Sequence, residues 1–171
     1  MSYIIKKLDS NNARDLSRIV TLAWNQTYKN IVDKEFLDYL KETEDYRIKY
    51  YVNEIDDESK QTYLLEVDGK YVGFIKIKKS SFEEYSDIGE IESLYLINGY
   101  KGYGYGRILF DYGINELKKL NYNNMIVGCL VGNKSNYFYI YMGGKQIGDR
   151  KLHFGDKDYI ENIYLFDLSV K

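Results

Sequence analysis

Residues 88–133 read IGEIESLYLINGYKGYGYGRILFDYGINELKKLNYNNMIVGCLVGN, and the order of patterns within them decides the fold. A strand is expected over 90–97, a glycine-studded loop over 101–107, an amphipathic helix ending near Leu120, and a second strand over 125–131. That order makes one βαβ unit. In the loop, Gly102, Gly104 and Gly106 alternate with Tyr103 and Tyr105. They stand before a helix whose apolar positions are Ile108, Leu109, Tyr112, Leu117 and Leu120, so they permit positive φ and leave backbone N–H groups uncovered. The helix N-terminus adds unpaired donors and roughly half a positive charge, which favours a phosphate or pyrophosphate there. Lys101 and Arg107 bracket the loop with full positive charges.

Two phosphate-loop patterns fail on spacing. The dinucleotide fingerprint needs G-x-G-x-x-G, but Gly104-Tyr105-Gly106 is followed by Arg107, Ile108 and Leu109. The P-loop needs Gly-Lys-Ser/Thr where this chain has Gly106-Arg107-Ile108. The spacing of Lys101, Gly104 and Gly106 fits Q/R-x-x-G-x-G/A, with Lys in the first place. Downstream, residues 132–144 (GNKSNYFYIYMGG) look like GN-x-x-A-x-x-FY-x-x-x-GG. On these two motifs, in this order and with a strand between them, the chain resembles the GNAT superfamily of N-acetyltransferases.

The resemblance implies a single α/β domain. Its sheet would be mixed and mostly antiparallel, six- to seven-stranded, with helices on both faces and the fourth and fifth strands splayed. It implies acetyl-CoA as co-substrate, its pyrophosphate on the amides of Lys101, Gly102, Tyr103, Gly104, Tyr105, Gly106 and Arg107. Its pantetheine arm would lie along the main chain of Leu94, Tyr95, Leu96 and Ile97 at a bulge near the end of the fourth strand. Asn133 and Asn136 join the cofactor-binding candidates. Tyr139 is the candidate general acid, its phenol also touching the cofactor. Trp24 and Tyr28, with Phe36 and Tyr39, are candidates for the acceptor wall.

Acetyl transfer to an amine explains why such groups are needed. An alkyl amine of pKa ~10 to 10.5 is protonated at neutral pH, and holding it neutral costs roughly 4 to 5 kcal/mol. A carboxylate, directly or through water, must take its proton. Backbone N–H groups of the fourth strand would polarise the thioester carbonyl, and a hydroxyl would assist a leaving thiolate of reference pKa ~8.5. Glu92 is the first choice for base and Glu90 the second. Two residues apart on a strand, they share a face, with Leu94 and Leu96 continuing it and Tyr95 on the other. Three positions depart from the family pattern: Lys101 replaces Gln or Arg, Asn136 stands where a small apolar residue is usual, and the fifth strand (Val127, Gly128, Cys129, Leu130) carries no carboxylate. The last favours a small-molecule amine.

Outward from this unit, a first strand is expected over 3–8 and a helix over 12–29, with Asp9, Ser10 and Asn11 as N-cap types. Asp33 caps a second helix bearing Phe36, Leu37 and Leu40. Thr43 caps a third bearing Tyr46, Tyr50, Tyr51 and Ile55. Strands over 62–67 and 71–79 flank Asp68-Gly69, a two-residue hairpin signal. Glu83, Glu84 and Asp87 precede the fourth strand and would attract a cationic amine, or form a solvated charge run. Two final strands, 145–154 and 159–168, are joined by Gly155-Asp156-Lys157.

At 171 residues and net charge −2, the chain suits one domain spanning 1–171 and gives no electrostatic case for nucleic acid or an anionic membrane. No apolar run approaches ~20 residues and no leader pattern opens the chain, so a cytoplasmic protein is expected. The lone His153 cannot build a metal site, so no metal is expected. Cys129 reads as a small buried residue rather than a nucleophile, so direct attack is favoured over an acyl-enzyme. The expected function is acetyl-CoA-dependent N-acetyl transfer to a primary amine of a small molecule. Acetylation of a protein N-terminus or lysine, and a non-catalytic acyl-CoA-binding sensor, are the alternatives. Edge strands near the C-terminus allow a monomer or a homodimer.

Overall fold

The computed structural model describes residues 2–169, apart from the side chain of Glu83. In chain order the elements are β1 (Tyr3–Lys7), α1 (Ala13–Thr27), α2 (Lys34–Glu42), α3 (Glu44–Asn53), β2 (Lys60–Val67), β3 (Lys70–Lys79), β4 (Gly89–Leu96), α4 (Tyr105–Lys119), β5 (Asn124–Leu130), α5 (Ser135–Tyr141), β6 (Lys145–Phe154) and β7 (Lys157–Asp167). The strands form one seven-stranded sheet in the order β1-β2-β3-β4-β5-β7-β6. Only β4 and β5 run parallel, as a strand–helix–strand crossover requires. Every other neighbouring pair is antiparallel.

Alternation along the central strands divides the core between two faces. Leu65 and Ile75 belong with Leu109, Phe110 and Leu117 of α4, while Leu64 and Phe74 belong with Leu16, Ile19 and Val20 of α1. A third cluster, Tyr28, Val32, Leu37, Leu40 and Leu130, seats α2 beyond the end of α1. Local sequence chemistry sets the turns. Asp68 and Gly69 both take positive φ (47° and 79°), the two-residue hairpin their sequence signals. Asp9 uses its side chain in a turn, accepting from the amides of Asn11 and Asn12, and α1 starts after Asn12. The third helix ends at Asn53, so Ile55 falls beyond it, and none of its residues is buried.

One expectation about β4 is overturned. The register of β3 against β4 pairs Lys76 with Ser93 and Ile77 with Ile91, leaving Glu92 as an extra residue in a bulge. Ile91, Leu94 and Leu96 therefore all pack on the α4 side, and Tyr95 packs on the α1 side. Leu94 and Leu96 do not continue the face of Glu90 and Glu92. The bulge also lies in mid-strand rather than near the strand end.

Leu109 is fully buried between α4 and the sheet. Leu109→Ala is expected to cost about 2–5 kcal/mol through lost burial and the cavity left behind, read as a lower urea midpoint at unchanged slope.

Candidate active site

The parallel pairing of β4 and β5 covers only Gly89 with Met125, Glu90 with Ile126 and Ile91 with Val127. Beyond that point the strands part, and a cleft of about 790 Å³ opens between them. Its walls come from Glu92, Ser93, Leu94, Tyr95 and Leu96 of β4, Val127, Gly128 and Cys129 of β5, Tyr139 and Phe138 of α5, and Tyr28 at the end of α1. The glycine loop closes one end through Lys101, Gly102, Gly104, Gly106 and Arg107.

Gly102 and Gly104 adopt φ of +86° and +85°, and nothing lies within 4 Å of the position a Cβ would take on either. Backbone strain would bar most residues there, and the empty space leaves the amides bare. Gly104 is the N-cap of α4, so those amides continue into the unpaired donors of the helix start. Burial lowers the Lys101 ammonium below its usual range, while Arg107 is exposed and ion-paired with Asp111 at 3.6 Å. The residues present therefore fit a diphosphate. Tyr103 is exposed and Tyr105 is buried in the α4-side core, and neither side chain lines the cleft.

Tyr139 packs against Phe110, Phe138 and Tyr164 with its phenol bordering the cleft. Burial raises its pKa, reinforced by Cys129, Tyr28 and Glu161, so the hydroxyl stays protonated throughout the neutral range. Tyr28 and Tyr95 share a hydrogen bond of 2.9 Å across the cleft. Burial pushes the Tyr28 phenol up to about 12 and the Cys129 thiol likewise to about 12, which leaves that thiol un-ionised and a poor nucleophile. Asn133 is buried at the cleft wall and accepts from the Ser135 amide at 2.9 Å, shaping the entry to α5.

Some expected residues stand elsewhere. Ile97 lies off the cleft, its amide donating to the Val72 carbonyl at 3.0 Å. Asn136 is consumed inside the fold, donating to the Leu130 and Asn133 carbonyls and accepting from Asn162 and Tyr164. Trp24 does not border the cleft but packs at a tilt behind Tyr28, with ring centroids 4.7 Å apart. Glu84 and Asp87 are exposed, Asp87 pairing with Lys79 at 3.3 Å. Glu83 lies outside the described side chains.

The two strand-four glutamates differ sharply. Glu92 borders the cleft and is gripped by Lys78 at 2.7 Å and Lys76 at 3.2 Å. Burial alone would raise its pKa, but the two lysines outweigh it and hold the carboxyl below its usual range. Glu90 is fully buried and does not line the cleft; it accepts from Arg150 at 2.7 Å and from the Ser81 amide at 3.2 Å. The same guanidinium binds Glu161 of β7. Arg150 thus reaches from β6 across β7 and β5 to β4, pinning the root of the fork. Sequence reasoning missed Arg150 and Glu161. A signal was present: Gly128, isolated inside a strand, marks a close approach, and the Glu161 carboxylate fills the place of its missing side chain. Among the described residues, no three His, Cys, Asp or Glu side chains gather into a metal-binding group, and no helix is long and apolar enough to cross a membrane.

The family description "Acetyltransferase (GNAT) family" matches residues 20–143 of the chain. A GCN5-related N-acetyltransferase from Rhodopseudomonas palustris superposes with TM-score 0.79 at 14% identity, covering 98% of this chain and 96% of its own. PaiA N-acetyltransferase from Thermoplasma acidophilum, solved with coenzyme A, gives 0.71 at 19% identity, covering 95% and 98%. The protein yncA from Salmonella typhimurium, solved with acetyl-CoA, gives 0.70 at 18% identity, covering 98% and 95%. These likenesses establish a shared fold.

Removing the guanidinium should expose its structural role. Arg150→Met leaves Glu90 and Glu161 buried without their cation and is expected to cost about 3–5 kcal/mol at pH 8. Burial already raises the Glu161 carboxyl, and without its cation that rise is unopposed, so the folded state binds more protons and the deficit shrinks as pH falls toward 5. Denaturant titrations of parent and variant at the two pH values check both magnitude and sign.

Proposed function

The chain belongs to the acetyltransferase (GNAT) family, and we propose that it transfers the acetyl group of acetyl-CoA to a primary amine of a small molecule. The observation that carries this reading is the fork between β4 and β5, with bare amides at one end and a protonated phenol on its wall. Acetyl-CoA supplies the activated acyl group as a thioester. The amides from Gly102 to Arg107, with Lys101 and Arg107, hold its diphosphate, and the unpaired edge of β4 at Leu94 and Leu96 receives the amide-bearing arm. Main-chain donors of β4 polarise the carbonyl at no reorganisation cost. Tyr139 donates its hydroxyl hydrogen to the departing sulfur.

On the acceptor side, Glu92 borders the cleft as an ionised, lysine-paired carboxylate. Its lysine partners keep it ionised, which suits capture of a protonated amine, directly or through an ordered water. The shape of this side supports a small acceptor. Phe36 of α2 packs at a tilt on Phe154 at 5.1 Å, Trp24 meets Phe154 at 5.6 Å, and Phe154 lies flat on Tyr159 at 4.3 Å. Lys157 pairs with Asp33 at 2.7 Å, so the β6–β7 hairpin is latched onto the α1–α2 segment. A hairpin held against the acceptor side in this way favours a compact amine over an extended polypeptide.

Calorimetry is expected to show binding of both acetyl-CoA and coenzyme A. Gly104→Val, which forces a β-branched residue into positive φ over the bare amides, should weaken that binding about tenfold or more. In a thiol-release assay over a panel of primary amines and short peptides, Tyr139→Phe should lower kcat about 10²-fold with little change in KM for acetyl-CoA. Full turnover by Tyr139→Phe would remove the general-acid role, and turnover of peptides alone would overturn the small-acceptor reading.

A further inference from the structure

Both carboxylates of β4 are spoken for. Glu90 gives one oxygen to Arg150 and the other to the amide and hydroxyl of Ser81. Glu92 gives one oxygen to Lys78 and the other to Lys76. A third carboxylate stands at the fork from another strand. Glu161 of β7 is buried on the α1 side of the sheet, outside the cleft lining itself, and lies directly over Gly128, one of the three β5 residues in the cleft wall. A Cβ on Gly128 would strike its Cδ and both of its oxygens, and Oε2 is the nearest of them. Oε1 accepts from Nε of Arg150, but among the described residues none donates a hydrogen bond to Oε2.

We propose that Glu161 is the carboxylate that receives the acceptor's proton, reaching the cleft through the gap that Gly128 leaves in β5. The assignment deepens the acetyl-transfer reading and rests on it. Strand five lacks a carboxylate of its own, and β7 supplies one over its only side-chain-free position. Burial raises the Glu161 carboxyl and Arg150 offsets this only in part, the direction that makes a carboxylate a better base. The charged and titratable groups around it are Arg150, Glu90 and Lys78 on one side and Tyr28, Cys129 and Tyr139 on the cleft side. The proton balance closes. The captured ammonium first gives up one proton to bulk water; as the resulting neutral amine bonds to the carbonyl carbon and the carbon–sulfur bond breaks, its second proton passes to Oε2, directly or through one water. The sulfur takes the Tyr139 proton, and the proton held on Glu161 then returns through solvent to the phenolate.

Glu161→Gln tests the assignment, since the amide keeps an oxygen for Arg150. With whichever of propylamine, phenethylamine, putrescine and glycinamide the parent acetylates fastest, kcat should fall about 10²-fold or more, and the basic shift in its pH profile should identify the lost group. Calorimetric affinity for acetyl-CoA should stay within about twofold, which separates a chemical role from a folding defect. A readout independent of turnover is the ¹³C titration of carboxyl-labelled glutamates. One resonance should titrate above the reference value of ~4.3 and vanish in Glu161→Gln. If that variant folds poorly, Glu161→Asp keeps the charge but withdraws it from Gly128, and should still lose at least about tenfold in kcat. A parent that turns over beside an equally active Glu161→Gln overturns the base assignment alone. A parent that acetylates no amine overturns the acetyl-transfer reading, and the assignment falls with it.

Discussion

Backbone amides and carbonyls must find partners, and β4 and β5 give each other partners over only three residue pairs. The separation that follows is not fraying. Strand β4 is held along its outer edge by β3 as far as Leu96, and β5 by β7 as far as Leu130. Each strand is therefore rigid while its inner edge is open, a groove lined by strand backbone inside a sheet. The bulge at Glu92 sits at the first residue after the last parallel pair, where an extra residue bends the strand. Arg150 bridges Glu90 and Glu161 at the same level and stops the fork from running further into the sheet.

The two faces of the sheet are chemically unlike. The α4 face is an apolar core in which Leu109, Phe110, Leu117 and Met125 are sealed from water. The other face carries, beside the α1 core, a string of charges running from Glu54 through Lys76, Glu92 and Lys78 to Glu90, Arg150 and Glu161. Buried ion pairs of this kind add little net stability, because desolvation cancels most of their attraction. Their value here is positional: each carboxylate is fixed to within a hydrogen bond, and the oxygens left over are few.

Much of this was legible in the sequence. The βαβ unit, the hairpin at Asp68-Gly69 and the glycine loop all follow from local patterns, since turn glycines and helical periodicity act over a few residues. The burial of Cys129 was equally local. What escaped were relations between distant strands. The bulge at Glu92 exists only as a register between β3 and β4, and without it simple alternation places Leu94 and Leu96 on the wrong face. Arg150 and Glu161 meet Glu90 because the sheet order places β7 and β6 beside β5, and no spacing along the chain encodes that. Asn136 sits in a recognisable motif, yet its amide is spent on Leu130, Asn133, Asn162 and Tyr164, contacts invisible before the chain is folded.

The division between faces bears on how the proposed acid and base are kept apart in one small site. Tyr139 is part of the cluster on the α4 side, whereas Glu161 lies over Gly128 on the opposite side of β5. In the proposed reaction the acyl donor enters along the loop at the start of α4 and the acceptor enters from beneath α1 and α2. They meet only in the plane of the sheet, where the strands part. A phenol whose burial keeps its proton on, and a carboxylate whose burial makes it ready to take one, then face the bond being exchanged from opposite sides. Environment, rather than residue type, separates their tasks.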